Sequence, residues 1–264
     1  MPNKNAIFEV KNLVKEFGHG KTHNVVLKGL NFEIDDGEIV TIVGGSGCGK
    51  SVAAKCLLGF LQPTKGELLY KGKKITNQRD HWQTVQPIFQ DPFSAFNQFF
   101  SIRSQLEDSF KVLYNRPSRA EIKDKVDAAL LAVNVLPTEL KEKFPFELSG
   151  GQMQRMLLAR IFALKPQVLI ADEATSMVDA CVRANILDYL MKLKKELNMT
   201  IVFITHDIGL AYYVSDRIFI MHDGEIVEHG TPDDVALRPK SKHTIQLIED
   251  IPDIHKDWIK RKRA

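Results

Sequence analysis

Gly44-Gly45-Ser46-Gly47-Cys48-Gly49-Lys50-Ser51 is the stretch of this sequence most committed to chemistry by residue type and spacing. It fits G-x-x-x-x-G-K-[ST] and lies between an apolar run, Ile39–Val43, and a helical run, Val52–Phe60. That context makes the pattern a phosphate-binding loop rather than a glycine-rich turn with a chance Gly-Lys-Ser. Glycines let the backbone wrap tightly and aim its amides at an anion, and a helix start adds a favourable dipole. Lys50 is placed to reach β- and γ-phosphates, and the Ser51 hydroxyl to ligate Mg²⁺. Cys48 has two readings: a small residue that fits, or a thiol activated by the helix N-terminus.

A second cluster ends another apolar run, Val168-Leu169-Ile170-Ala171-Asp172-Glu173. In P-loop enzymes an aspartate here holds Mg²⁺, usually through water, and the adjacent Glu173 can polarise the attacking water as general base. Two acids after a strand are weak evidence alone, so their weight comes from the motifs around them.

The elements that must position these groups read as α/β. Strand-like runs fall at Ala6–Val10, Val25–Ile34, Glu38–Val43, Glu67–Tyr70, Val85–Phe89, Val168–Ala171, Thr200–Ile204, Arg217–Met221 and Glu225–Glu228. Ile39–Val43, Val168–Ala171 and Ile201–Ile204 are apolar throughout, as in strands covered on both faces, whereas the early alternating runs suit an antiparallel sheet with one covered face. Ser118-Arg119-Ala120-Glu121 has capping-box spacing, followed by apolar Val126, Leu130 and Val133. Val182, Ile186, Leu190, Leu193 and Leu197 make one helical stripe, and Thr231-Pro232-Asp233-Asp234 starts a short helix. From about 91 to 148 no strand is evident, so a helical lobe inserted into the α/β core is expected. The tail Trp258–Ala264 carries Lys260, Arg261, Lys262 and Arg263, read as a solvated end or as a contact with anionic lipid.

Bulk composition narrows the class. The 264 residues are 44% hydrophobic and 26% charged, with a net charge of only +3, so nucleic acid is not an expected partner. Cys48, Cys56 and Cys181 match no metal-ligand spacing and suit a reducing cytoplasm. The polar start Met1–Asn5 lacks the apolar core of a signal peptide, and no run approaches the ~20 apolar residues of a membrane span. A membrane role is therefore expected to come through a partner.

Leu148-Ser149-Gly150-Gly151-Gln152 is the point at which the sequence resembles the ABC ATPase family, whose signature motif is this pentapeptide. The resemblance runs from about Ala6 to Asp250. It implies a P-loop NTPase core with a mixed parallel sheet, an antiparallel β subdomain and an inserted α-helical lobe, in one domain over 1–250 followed by a basic tail, 251–264. It also implies that Gln90 is the Q-loop glutamine, Ser176-Met177-Val178-Asp179 the D-loop, His206 the switch histidine, and Phe17 the aromatic against adenine; Phe17 is otherwise an ordinary core residue. Ser149 and the amides of Gly150 and Gly151, opening a helix through Gln152–Leu164, would form a second anion site. One ATP would then be sandwiched between Lys50 of one subunit and Ser149 of another. The implied cofactors are ATP and Mg²⁺. The nucleotide-binding residues would be Phe17, Gly44, Gly45, Ser46, Gly47, Cys48, Gly49, Lys50, Ser51, Val52, Ser149, Gly150, Gly151, Gln152 and Asp179. Ser51, Gln90 and Asp172 would serve the metal, and Glu173, His206, Gln90 and Lys50 catalysis.

The spacing from Lys50 to Asp172 leaves no room for the long coiled coil of DNA-repair relatives, and a single ATPase unit is unlike the paired units of translation factors. A transport motor is therefore expected over a soluble ABC ATPase acting on a ribosome. Gln90-Asp91-Pro92-Phe93-Ser94-Ala95-Phe96-Asn97, Phe203–Ala211 and His243–Ile248 with Pro252 resemble the oligopeptide/dipeptide importer group. Members move peptides, nickel or oligosaccharides. The group implies permease subunits, a second ABC ATPase (a heterodimer is favoured over a homodimer), an extracytoplasmic solute-binding protein acting indirectly, and a place on the cytoplasmic face of a prokaryotic membrane. There are departures. Gln98 replaces the usual proline, and the following Phe99 and Phe100 are expected to pack inside the lobe or to meet a permease coupling helix. No cysteine follows Cys181, so the iron–sulfur cluster of many members is not expected.

Overall fold

The computed structural model describes residues 5–18, 20–113, 117–174 and 180–250. The D-loop assignment, with Asp179, and the tail 251–264 lie outside the described residues. In chain order the elements are β1 (Ala6–Phe17), β2 (Asn24–Asp35), β3 (Ile39–Val43), α1 (Lys50–Leu57), β4 (Lys65–Tyr70), β5 (Lys73–Lys74) and α2 (Gln78–Thr84). There follow β6 (Val85–Ile88), α3 (Ile102–Leu113), α4 (Arg119–Ala132), α5 (Gly150–Leu164), β7 (Val168–Asp172) and α6 (Ala180–Leu197). The chain continues with β8 (Thr200–Thr205), α7 (Ile208–Val214), β9 (Arg217–His222), β10 (Glu225–Gly230), α8 (Pro232–Leu237) and α9 (Lys242–Glu249). The described residues divide into two compact units, one built from the segments up to 78 and from 200 onward, the other lying between 79 and 199.

In the first unit β3 pairs in parallel with both β8 and β9, and β10 returns antiparallel to β9. Every residue of β3 and β8 is buried, as their unbroken apolar runs predict. Each large aliphatic side chain sealed this way stabilises the sheet by about 1.5–3 kcal/mol. Thr41 is the polar exception in β3, and its hydroxyl meets that of Ser215. The early strands form the expected antiparallel sheet, in the order β2-β1-β4-β5. β1 is much longer than its alternation suggests, running to Phe17 through an irregularity after Val10 where Asn12 takes φ 48°. α1 begins at Lys50 rather than Val52, because Gly49 at φ 105° is its N-cap, and it stops at Leu57 rather than Phe60.

The second unit pairs β6 with β7 in parallel, from Val85 opposite Val168 to Ile88 opposite Ala171. The described residues of 91–148 contain α3, α4 and short 3-10 turns but no strand. Ser118 and Glu121 cap α4 reciprocally as their spacing predicts, and Val126, Leu130 and Val133 are fully buried. Ile102, Leu106 and Phe110 supply the buried face of α3, and Arg103 fastens α3 to α4 through Asp127 at 2.7 Å. Of the α6 stripe, Ile186, Leu190 and Leu193 are buried, Leu197 is half-buried, and Val182 lies outside the described side chains. α2 and α7 carry too few apolar repeats to be found from periodicity, and neither was expected.

Candidate active site

In the first unit the glycine-rich loop leaves β3 and turns into α1 against a hairpin. A Cβ on Gly44 would stand 2.2 Å from the Met221 carbonyl oxygen and 2.7 Å from Cys48 Sγ, so the first loop position admits only glycine. Gly49 combines its φ of +105° with close neighbours: a Cβ there would stand 2.9 Å from the Met221 side chain and 3.0 Å from that of Leu27. The β9–β10 turn, Asp223-Gly224, props the loop from beneath: the Gly224 amide donates to the Cys48 carbonyl at 3.0 Å, and the Lys28 amide donates to the Gly224 carbonyl at 2.9 Å. Gly45, Ser46 and Gly47 stay exposed above this support.

Lys50 is only 5% exposed, and its Nζ donates to the Gly44 and Gly45 carbonyls, both at 2.8 Å. The ammonium is thus held inside the loop, where an incoming phosphate would find it. Ser51 and Val52, at the second and third positions of α1, are exposed and half-buried. The Cys48 side chain is 7% exposed with Sγ directed at Gly44, which supports the reading of a residue that fits over that of a reactive thiol. Cys56, deeper along α1, has its thiol pKa pushed up to about 11 by burial, and such a thiol is inert at neutral pH.

Phe17 ends β1 with 39% of its surface exposed and Lys15 Nζ 5.2 Å from its ring centroid. It is not a core phenylalanine, and its free face can stack on a planar base. His206 is exposed at the end of β8, just before Asp207, which caps α7 by accepting from the Gly209 amide at 2.8 Å.

In the second unit Asp172 and Glu173 are half-buried at the end of β7. Glu173 takes φ 48°, a left-handed conformation that costs a non-glycine residue about 1–2 kcal/mol. The surrounding structure therefore holds this carboxylate where a relaxed chain would not. Gln90 is exposed just after β6. Ser149 is the N-cap of α5: its Oγ accepts from the Gln152 amide at 3.3 Å, and the Gln152 carboxamide accepts from the Ser149 amide at 2.9 Å. The signature motif thus doubles as a capping box, and Ser-x-x-Gln is a sequence signal for it. Helix α5 starts at Gly150, two residues earlier than expected, with Ser149 and Gly150 exposed and Gly151 half-buried.

Phe99 and Phe100 correct one expectation. They do not pack inside the lobe, being 87% and 56% exposed. Gln105 of α3 fixes their loop, accepting from the Asn97 amide at 2.7 Å and donating to the Asn97 and Phe100 carbonyls at 2.9 Å each. Sequence reasoning also missed Gln154, a polar member of the otherwise apolar buried face of α5, and the half-buried Arg160 of the same helix. Arg160 sets its guanidinium 5.6 Å from the Phe96 ring centroid, and burial lowers its pKa to about 10.

Comparison with known proteins supplies the family and the fold. The ABC transporter family model matches residues 27–176. Oligopeptide transport ATP-binding protein OppF of Escherichia coli (strain K12) is 33% identical over 260 residues, covering 97% of this chain and 78% of OppF. OppF of Lactococcus lactis subsp. lactis (strain IL1403) is 38% identical, covering 88% of this chain and 74% of that protein. Among solved structures, CbiO1 from Clostridium perfringens, part of the ABC transporter complex CbiONQ, superposes with a TM-score of 0.77 at 29% identity, covering 96% of this chain and 98% of CbiO1. The ATP-binding cassette MJ0796, in a dimeric post-hydrolysis state bound to ADP and Pi, gives 0.76 at 28% identity over 85% of this chain and 98% of MJ0796. The chain has the ABC ATPase fold and belongs to the ABC transporter family, close to the oligopeptide transport ATP-binding proteins.

Proposed function

We propose that this chain is the ATP-hydrolysing motor of an oligopeptide importer. The observation that carries the chemistry is the Lys50 ammonium, buried among the Gly44 and Gly45 carbonyls of a loop whose outer residues are open. Entering phosphates would take over the Lys50 bonds and meet the loop amides, with the α1 dipole behind them. The names of relatives at 33% and 38% identity support the cargo class.

In this reading Phe17 stacks on adenine and Glu173 accepts a proton from the attacking water. His206 contacts the γ-phosphate, and Ser149 with Gly150 and Gly151 grips the ATP held by the other subunit. Magnesium suits the donors: the Ser51 hydroxyl, the Asp172 carboxylate and the Gln90 carboxamide are hard oxygen ligands, and this ion takes few protein ligands beside phosphates and water. When bound, it would neutralise charge developing on the phosphates. Residues 1–250 are proposed to act as one ABC ATPase domain, with the lobe 91–148 reporting closure to the permeases.

No helix among the described residues is long and apolar enough to cross a membrane; in this reading permease subunits supply the membrane path. The exposed, fixed pair Phe99–Phe100 suits docking to such a permease at the cytoplasmic face of the membrane. A second, similar ATPase is favoured as the dimer partner, and a solute-binding protein would deliver the peptide. Affinity purification of the tagged chain from detergent-solubilised native membranes tests the reading. Recovery of two permeases, with peptide-stimulated ATP hydrolysis after reconstitution, is expected. Recovery of ribosomes or soluble partners alone would overturn import.

A further inference from the structure

Gln154 belongs to the apolar face of α5, where a polar residue needs a reason. It is 2% exposed, and its Nε2 donates to the Ala174 carbonyl at 2.5 Å. Its Oε1 is sealed from solvent with no hydrogen-bond partner among the described residues. A side chain kept buried with half its polar capacity unused is kept for the half that is used. Ala174 follows Glu173, the residue held at φ 48°. Gln154 also lies one helical turn beyond Gly150, so the anion-seeking end of α5 and the clamp on the Glu173 segment belong to one rigid turn. A cavity of about 150 Å³, lined by Gly151, Gln154, Arg155 and Leu158 among others, adjoins that turn. The turn therefore has room to shift without displacing packed core.

We infer that Gln154 is a positioning residue that ties the signature end of α5 to the backbone carrying Glu173. The inference rests on the sandwich reading above, in which Ser149 and Glu173 of one subunit serve different ATP molecules. Engagement of phosphate at Ser149–Gly151 pulls on the first turn of α5. Gln154 passes that displacement to the Ala174 carbonyl and so sets the Glu173 carboxylate serving the other nucleotide. The two ATP sites of a dimer are thereby linked inside each subunit, through a single hydrogen bond.

The test is a double-mutant cycle on the assembled transporter with Gln154→Leu and Ser149→Ala, reading kcat and KM for ATP together with the melting temperature. Gln154→Leu keeps the volume and removes the donor. A fall in kcat of about tenfold or more is expected, with KM changed less than twofold. The double variant should be at least threefold faster than the product of the two single effects, because both act through one link. Additive effects within twofold, or unchanged kcat in Gln154→Leu, would overturn the inference. So would a loss of kcat that merely tracks a fall in melting temperature. Should Gln154→Leu fail to fold, Gln154→Met carries the same readings. A native transporter that hydrolyses no ATP would instead sink the motor reading itself, which separates the two failures.

Discussion

Gly45 and Gly150 are glycines that the fold of the free chain does not demand. A Cβ on either would meet nothing within 4 Å, and neither residue has positive φ. Bareness at these points serves something that approaches from outside, as a phosphate would at a helix start. Gly150→Ala should leave the isolated chain as stable or more stable by about 0.5–1 kcal/mol, since alanine is the better helix residue. The same change should abolish ATP-driven pairing with the second ATPase of the transporter, read by light scattering on the mixed subunits; pairing at the native ATP concentration would refute an anion site at α5. Glu173 poses the opposite case, a residue held against its backbone preference. Glu173→Gln keeps the shape and removes the proposed base, so ATP should still bind while kcat drops about 100-fold or more. Turnover within a few-fold of native, by phosphate release, would exclude Glu173 as general base.

At the scale of elements, the support beneath the loop is as specific as the loop. Asp223-Gly224 closes the β9–β10 hairpin with φ of 45° and 81°, the left-handed pair that a two-residue turn requires. A Cβ on Gly224 would stand 2.4 Å from the Val26 carbonyl oxygen. Gly224→Ala should therefore cost about 2–4 kcal/mol in chemical denaturation and weaken nucleotide binding with it. A variant as stable as the native chain would contradict this account. The hairpin also anchors α9. Burial opposes ionisation of Glu228, but the Thr244 hydroxyl and the Ser241 and Lys240 amides outweigh it and hold its pKa below the usual 4.5. A carboxylate whose pKa is lowered on folding stabilises the protein above its unfolded value and loses that contribution as pH falls through the folded value. Stability should thus decline below about pH 4.5, and Glu228→Gln should flatten that decline while costing about 1 kcal/mol at neutral pH, screened by its partial exposure. An unchanged acid limb in Glu228→Gln would show that the anchor lies elsewhere. Much of this scale was legible in advance. The unbroken runs of β3, β7 and β8 announced buried strands, and Ser118–Glu121 announced a cap. The hairpin's role was not, because Asp-Gly predicts a turn but not what the turn supports. Nor was that of Gln154, since hydrophobic periodicity sees a polar residue on a buried face only as an interruption.

At the scale of the whole molecule, the distinction is between residues that run the ATPase and residues that make it a motor. The motif residues could be proposed from the sequence because phosphate chemistry admits few alternatives at each position. Phe99 and Phe100 were not, because hydrophobicity alone cannot tell an internal packing residue from one presented to a partner. The structure excludes internal packing: the rings are out in solvent, while Gln105 binds the Asn97–Phe100 backbone at three points. An exposed aromatic on a fixed loop loses little conformational freedom when it docks, which is the economy expected of an interface anchor. Replacing both with serine should change the stability of the isolated chain by no more than about 0.5 kcal/mol. Its ATP hydrolysis, measured without membrane subunits, should be unaltered, because neither ring belongs to the nucleotide machinery. Assembly is where the loss should appear. Two anchors worth more than about 1 kcal/mol each predict permease affinity reduced by tenfold or more, with peptide-stimulated hydrolysis falling alongside it. Native assembly and coupling in the double serine variant would show that the permease is received on another surface and that the Gln105-braced loop serves some other contact.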